Sequence, residues 1–319
     1  MQTPFEHAPV LRDEVVALVA RCAAPGPAVI VDATLGGGGH AEALLRRFPQ
    51  AQLVGIDRDP HALAAAGERL APFGARVRLC RGRFSQLRAI VEQQGYSQVD
   101  AVVVDLGVSS YQLDSAARGF SFRAAGPLDM RMDPDAPGSA AELLATIDVA
   151  ELTRILRELG EERHARRVAR RIVERRPADT AELARVVQDA LRGTTPPGRR
   201  ERIDPATRTF QALRMAVNDE VGELEAWLRE VPALLAPGGV AVAISFHSIE
   251  DRLVKRAFKA WATGCVCPPR LPVCVCGQLA AFEILTTRPL RATAEELLAN
   301  PRARSAKVRA ARRLGAGAP

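Results

Sequence analysis

The stretch Val29-Ile-Val-Asp-Ala-Thr-Leu-Gly-Gly-Gly-Gly-His40 decides the fold. Residues 28–31 are small or apolar in a row, Asp32 closes the run, and four glycines precede a helical pattern that begins near Ala41. An unbroken apolar run of this length suits a strand buried on both faces. A strand passing through a glycine turn into a helix aims backbone N–H groups and the positive end of a helix dipole at a ligand. Glycine alone combines φ > 0 with close backbone approach. A bare β–α turn is the plainer alternative, but four consecutive glycines exceed what a turn needs. The stretch predicts a cofactor site.

Outward from it, strands and helices alternate. Residues 9–24 carry Val10, Leu11, Val15, Leu18 and Val19 at helical spacing, and 41–48 forms a short amphipathic helix. Strands are expected at 53–57, 77–80 and 99–106, with helices at 60–70 and 84–93 between them. Such alternation means βαβ units and a parallel sheet. It stops after 106. Residues 107–136 read as a long loop, and 140–145, 149–159, 161–176 and 180–191 as an all-helical insertion with an exit linker at 194–202. A long amphipathic helix then carries Phe210, Leu213, Val217, Val221, Leu224, Leu228 and Val231 on one face and stops at Pro237-Gly-Gly239. A fifth strand at 239–246, a helix at 249–262 and further strands at 282–287 and 307–312 complete the sheet. The expected division is 1–114 for the first part of the core, 115–204 for the loop and helical insertion, 205–313 for the second part of the core, and 314–319 as a disordered tail.

The chain has 319 residues, 47% hydrophobic and 25% charged, the balance of an ordinary globular protein. Net charge is +7 with Arg far outnumbering Lys, which is compatible with a polyanionic partner without demonstrating one. No apolar run reaches a membrane span and no secretory signal opens the chain, so the cytoplasm is the expected compartment.

Five constellations carry chemistry. Gly36-x-Gly38-x-x-Ala41, with Asp57 about 20 residues on, satisfies a dinucleotide pattern and equally a site for S-adenosylmethionine, whose ribose also wants an acid at the end of the second strand. Asp32 tilts the choice, because a carboxylate there meets a cationic methionine group but repels a pyrophosphate. Asp105-Leu-Gly-Val-Ser-Ser-Tyr-Gln112 lies at the carboxyl end of the fourth strand, where Asp105, Ser109 and Ser110 could hold an exocyclic amine; turn formation is the alternative. His247 in Ser245-Phe-His-Ser-Ile-Glu-Asp251 faces the same edge, either orienting substrate or as a satisfied structural histidine, while Ser248, Glu250 and Asp251 suit a helix start. Cys265-x-Cys267 and Cys274-x-Cys276 could bind zinc structurally, but they lack the two-residue spacing of a zinc knuckle and read as a free-thiol loop, with no metal assigned. Arg163, Arg166, Arg167, Arg170, Arg171, Arg175 and Arg176, and the run 300–309, could track a phosphate backbone or simply be solvated.

Together these pieces resemble the RsmH (MraW) family of small-subunit ribosomal RNA methyltransferases. The residues that carry the resemblance are His7-x-Pro-Val-Leu11, Asp32-Ala-Thr-Leu-Gly-Gly-Gly-Gly-His40, Gly55-Ile-Asp-Arg-Asp-Pro60, Asp105-Leu-Gly-Val-Ser-Ser-x-Gln-Leu113, Arg118-Gly-Phe-Ser-Phe122, Leu128-Asp-Met-Arg-Met132, Ser245-Phe-His-Ser-Ile-Glu-Asp-Arg252 and Asn300-Pro-Arg-Ala-Arg-Ser-Ala-Lys307. The resemblance implies a class I S-adenosylmethionine-dependent methyltransferase, α/β and Rossmann-like, with a mostly parallel seven-stranded sheet and an inserted all-helical domain. It implies N4-methylation of cytidine 1402 in the decoding centre of 16S rRNA, with the small ribosomal subunit as partner. It carries cofactor contacts onto Gly38, Gly39, His40, Asp57, Phe84, Asp105 and Gln112, beside Asp32. Asp105, Ser109, Ser110 and His247 are the expected catalytic group. An NAD-dependent oxidoreductase using the same glycine loop and a non-catalytic RNA-binding protein are the alternatives. Oligomeric state is left open, a homodimer included.

Overall fold

The computed structural model describes residues 9–22, 26–194, 204–268, 275–276 and 278–315. His7, Cys274, most of the expected linker and residues 316–319 of the expected tail lie outside them. Helix α1 (Arg12–Val19) precedes β1 (Val29–Asp32), α2 (Gly39–Arg47), β2 (Gln52–Asp57), α3 (Pro60–Leu70), β3 (Val77–Arg81), α4 (Leu87–Gln93) and β4 (Val99–Asp105). Helices follow: α5 (Ser110–Asp114), α6 (Ala140–Thr146), α7 (Val149–Glu158), α8 (Ala165–Arg175), α9 (Thr180–Leu191), α10 (Ala206–Asn218) and α11 (Glu220–Leu234). The chain returns to the sheet with β5 (Leu235–Ser245), α12 (Ser248–Trp261), β6 (Phe282–Ile284), α13 (Ala294–Ala299) and β7 (Lys307–Arg313). Helix α13 was not anticipated.

The seven strands form one sheet in the order β3-β2-β1-β4-β5-β7-β6. All neighbours are parallel except β7, which runs antiparallel to β5 and β6. This is the mostly parallel, seven-stranded sheet that the resemblance implies. Its apolar runs are explained by burial on both faces. Val102 and Val104 of β4 join one core cluster with Val31, Ile56 and Trp227, while Ala101 and Val103 join the other with Ile30, Leu53 and Leu44. Each fully buried Val or Ile contributes roughly 1.5–3 kcal/mol.

The chain divides into two compact units, Val108–Val221 and the sheet unit formed by the chain through Gly107 and from Gly222 on. The helical unit is larger than the expected 115–204. Phe210, Ala212 and Leu213 of α10 are buried in a cluster with Leu156, Val168 and Leu183, and Phe210 meets the Phe122 ring at 4.9 Å. The long helix read across 210–231 is therefore two helices. Asp219, in the left-handed region at φ 48°, ends α10. Beside it Asn218 turns inward, donating to the Met130 and Arg214 carbonyls and accepting the Met132 amide. Asp and Asn tolerate such a break better than other side chains. Helix α8 likewise starts at Ala165 instead of 161, because Glu161 has φ 49°.

Candidate active site

The loop after β1 is sewn to its neighbours residue by residue. Ala33 N–H donates to the Val103 carbonyl at 2.8 Å and Leu35 N–H to that of Ile56 at 2.9 Å. Gly36 (φ 51°) and Gly38 (φ 77°) occupy the left-handed region that glycine enters at no steric cost. At Gly38 a Cβ would also press on Ala66 and Leu70 at 3.3 Å. Gly38 caps α2, and Gly39 and His40 begin it, so the glycines bring the helix N-terminus to the carboxyl edge of the sheet.

Acids close three adjacent strands at that edge. Asp57, at the end of β2, accepts the Gly36 amide at 2.7 Å and the Asp59 amide at 2.9 Å, yet burial still raises its proton affinity. Asp32, at the end of β1, is 1% exposed. Burial pushes its carboxyl up to about 7; the Thr34 amide opposes this and the charge of Asp57 adds to it. Asp105, at the end of β4, is raised well above the usual carboxylate range by burial and then by the negative charges of Asp32 and Glu250. Its own amide donates to Thr34 Oγ1 at 2.6 Å.

His40 is buried, and its Nε2 lies 3.8 Å from Asp105 Oδ2. Burial, followed by the charge of Arg12, lowers its pKa to about 4, so the ring is neutral near pH 7 and this contact is not an ion pair. Asp32 Oδ2, Asp105 Oδ1 and both His40 nitrogens are buried and find no hydrogen-bond partner among the described residues. Buried carboxylate oxygens without donors are costly and call for positive charge or N–H groups from a ligand.

His247 stands just past β5 as the residue before α12. Its Nε2 is 3.0 Å from Glu250 Oε1, a contact at ion-pair distance that does not align as a hydrogen bond. Glu250 is 4% exposed and accepts the Phe246 amide at 2.8 Å. Phe84 opens the turn after β3 and is buried in the cluster of Ile56, Leu87 and Leu106.

Ser109, Ser110 and Gln112 belong to the helical unit. Ser109 Oγ accepts the Gln112 amide at 3.2 Å while Gln112 Oε1 accepts the Ser109 amide at 3.1 Å, a reciprocal capping box that starts α5. Two side chains missed from the sequence stand out in the sheet unit. Thr34 holds the Asp105 amide, and Glu250 places a charge that Asp105 feels. A hydroxyl two residues after the strand-ending acid was the available signal for the first; for Glu250, helix-start statistics gave the more ordinary reading.

The basic run 300–309 is partly committed within the fold. Lys307 Nζ and Arg309 Nε donate to Asp251 at 3.0 and 2.6 Å. In the helical unit, α8 buries Ala165, Val168, Ala169 and Ile172 and leaves Arg166, Arg167, Arg170, Arg171 and Arg175 exposed. Arg176 instead donates to the Leu144 and Ile147 carbonyls.

A family model described as the MraW methylase family matches residues 4–314. The chain belongs to the MraW methylase family. It is 51% identical to ribosomal RNA small subunit methyltransferase H of Anaeromyxobacter dehalogenans over 98% of this chain and 100% of that protein. It is also 51% identical to the protein of the same name from Geobacter sulfurreducens, over 97% and 99%. The Heliobacterium modesticaldum protein of that name is 47% identical over 97% and 99%.

The methyl donor for this methylase is S-adenosylmethionine. The site fits it. The unpartnered Asp32 and Asp105 oxygens suit a ligand bearing sulfonium and ammonium charges, whereas the pyrophosphate of the oxidoreductase alternative would add negative charge to a pocket already rich in it. Asp57 stands where a ribose is expected. No helix among the described residues is long and apolar enough to cross a membrane.

Proposed function

We propose that the protein transfers a methyl group from S-adenosylmethionine to N4 of cytidine 1402 in the decoding centre of 16S rRNA. Relatives named as small-subunit methyltransferases support the ribosomal substrate. The observation that carries the chemistry is Asp105, a half-buried acid with one buried oxygen that has no partner among the described residues, next to the carboxyl ends of β1 and β5.

The donor, when bound, supplies an activated methyl group on a cationic sulfur; the chain supplies position and charge. Asp32 would hold the methionine amino group, Asp57 the ribose, and the α2 N-terminus neighbouring polar atoms. Phe84 lies where an aromatic would reach adenine from the end of β3. Asp105 accepts hydrogens of the cytidine amine, turning its lone pair toward the methyl carbon. Transfer would break the donor's S–C bond as N4 gains the methyl group, and the amine would then lose a proton. Asp105, whose proton affinity is raised by burial and by the charges of Asp32 and Glu250, is suited to accept it.

His247, held against Glu250, orients the base. Ser109 and Ser110 keep a substrate-holding role, and Gln112 a cofactor-binding one, on their places in the chain directly after Asp105. A cytidine in folded RNA must leave its stack to reach such an edge. The exposed arginines of α8 are the proposed RNA contacts.

Mapping methylated cytidines by mass spectrometry after incubating purified protein and donor with unmodified small subunits tests this reading. One methyl on N4 of a single 16S cytidine is expected. Methylation of another atom or another RNA overturns it.

A further inference from the structure

Three cysteines meet in the loop between α12 and β6. The Sγ atoms of Cys265, Cys267 and Cys276 all lie within 4.8 Å of one another, and those of Cys265 and Cys276 are 3.6 Å apart. A disulfide needs about 2.05 Å between sulfurs. Tetrahedral zinc with Zn–S bonds of about 2.3 Å sets its thiolates roughly 3.8 Å apart, close to the observed separation. The Val275 amide donates to Cys267 Sγ at 3.4 Å, the kind of outer hydrogen bond that steadies a metal-binding thiolate.

The ends of the loop are tied, with the Ala281 amide on the Trp261 carbonyl at 3.2 Å and Gln278 Nε2 on the Thr263 carbonyl at 3.3 Å. Among its described residues, Val266 is 60% exposed, Val275 79% and Leu279 72%. Converging thiols in a protein without disulfides among its described cysteines are suited to a soft metal.

We propose that Cys265, Cys267 and Cys276 bind one zinc ion as a structural site that orders this loop. The one-residue spacing within each Cys-x-Cys pair argues against a standard knuckle. The fold answers that objection by bringing Cys276 back across the loop to Cys265, so the ligands are not supplied by one pair alone. Each thiol gives up its proton to solvent on binding, and three thiolates leave a fourth position for a further donor. Cys274, outside the described residues, is not part of the assignment.

The test is metal analysis of the full-length protein, produced with zinc present and purified under reducing conditions. About one zinc per chain is expected, falling at least fivefold in Cys265→Ser, Cys267→Ser and Cys276→Ser. Cys22→Ser and Cys80→Ser should keep it, because neither thiol belongs to the cluster. Replacement of zinc by cobalt should give a near-ultraviolet thiolate charge-transfer band that is lost in the same three variants. Far-ultraviolet circular dichroism and donor binding are measured on each variant, so that loss of metal in a folded chain is separated from unfolding. Overturning results are a wild-type protein without metal that also fails to take up added zinc or cobalt, metal retained by all three variants, or a Cys265–Cys276 disulfide in protein alkylated directly from cells.

Discussion

The backbone amide of Asp105 donates to the side chain of Thr34 at 2.6 Å, fastening the end of β4 to the loop that follows β1. Thr34 in turn donates its own amide to Asp32 Oδ1 at 3.3 Å. One threonine thus holds both the Asp105 amide and the Asp32 carboxylate at the ends of adjacent strands. Each bond runs from a backbone amide to a side-chain oxygen, so the two strand ends are tied together through Thr34.

Thr34→Val tests that role. The substitution keeps the shape and removes the acceptor, leaving the Asp105 amide without a partner. A loss of about 1–3 kcal/mol in stability is expected from the unsatisfied donor. The methylation rate should fall by a larger factor than donor affinity. Chemical denaturation, a donor titration and single-turnover methylation measure the three quantities.

Donor binding should be linked to protons through Asp32. Its carboxyl is pushed up to about 7 by burial. A cationic ligand favours the ionised form, so binding below that pH must expel a proton. Affinity for S-adenosylmethionine should therefore fall as pH is lowered from 7.5 to 5.5, by roughly tenfold, since one linked proton changes the constant up to tenfold per pH unit below the pKa. Asp32→Asn should bind weakly with a flatter profile. Isothermal titration in buffers of different ionisation heat reports both the affinity and the proton release.

The same group acts on stability with the opposite sign. Between about pH 4 and 7 the folded chain holds a proton at Asp32 that the unfolded chain has lost, so the stabilising contribution is present at low pH and lost as pH rises through about 7. Without cofactor at pH 8, Asp32→Asn should be more stable than the wild type by roughly 1–3 kcal/mol, within what a shift of this size can supply. The advantage should shrink by pH 5. Urea unfolding at the two pH values measures it.

Asp251 behaves as an ordinary paired carboxylate. Burial pushes its proton affinity up, but the hydrogen bonds and charges of Arg309 and Lys307 outweigh that and hold it below the usual value. Its contribution is present above the unfolded carboxylate range and lost as pH falls through the lowered folded pKa. Asp251→Ala should cost about 1–3 kcal/mol near pH 7 by leaving two cations without their acceptor. Thermal unfolding across pH 3–7 should show that difference disappearing at the acid end.

The arginines of α8 provide a test of substrate contact separate from chemistry. Arg166→Glu combined with Arg170→Glu should weaken binding to small subunits and reduce its salt dependence by about one unit of slope for each lost phosphate contact. Donor affinity should be unchanged. If the pair leaves subunit binding intact at every salt concentration, that helix face is only solvated.

The sheet was legible because its residues decide it locally. The apolar runs ending in Asp32, Asp57 and Asp105, and the glycines after the first, admit few other arrangements. Helix limits were legible where an end signal exists, as at Asp59 and Pro60, where the Asp59 side chain accepts the His61 amide. They were missed at Asp219 and Glu161, where a positive φ interrupts a periodic pattern that has no glycine to announce it. The acids of the site could be read because each closes a strand. Thr34 and Glu250 could not, because their roles depend on chain segments distant in sequence, Thr34 at β4 and Glu250 through its charge at Asp105. Lys307 and Arg309 were read as part of a basic run, and only the antiparallel return of β7 beside β5 shows them paired with Asp251.

The most direct measurement concerns Asp105. Cells lacking the gene are complemented with the wild type or with Asp105→Asn, and cytidine 1402 of their 16S rRNA is analysed by mass spectrometry, alongside donor titrations of both purified proteins. The predicted result is N4-methylcytidine restored by the wild type and reduced at least 100-fold by Asp105→Asn, a loss of the size expected when a positioned proton acceptor is removed, and larger than any loss of donor affinity. Full restoration by Asp105→Asn, or unmethylated N4 at that cytidine in cells carrying the wild type, would contradict it.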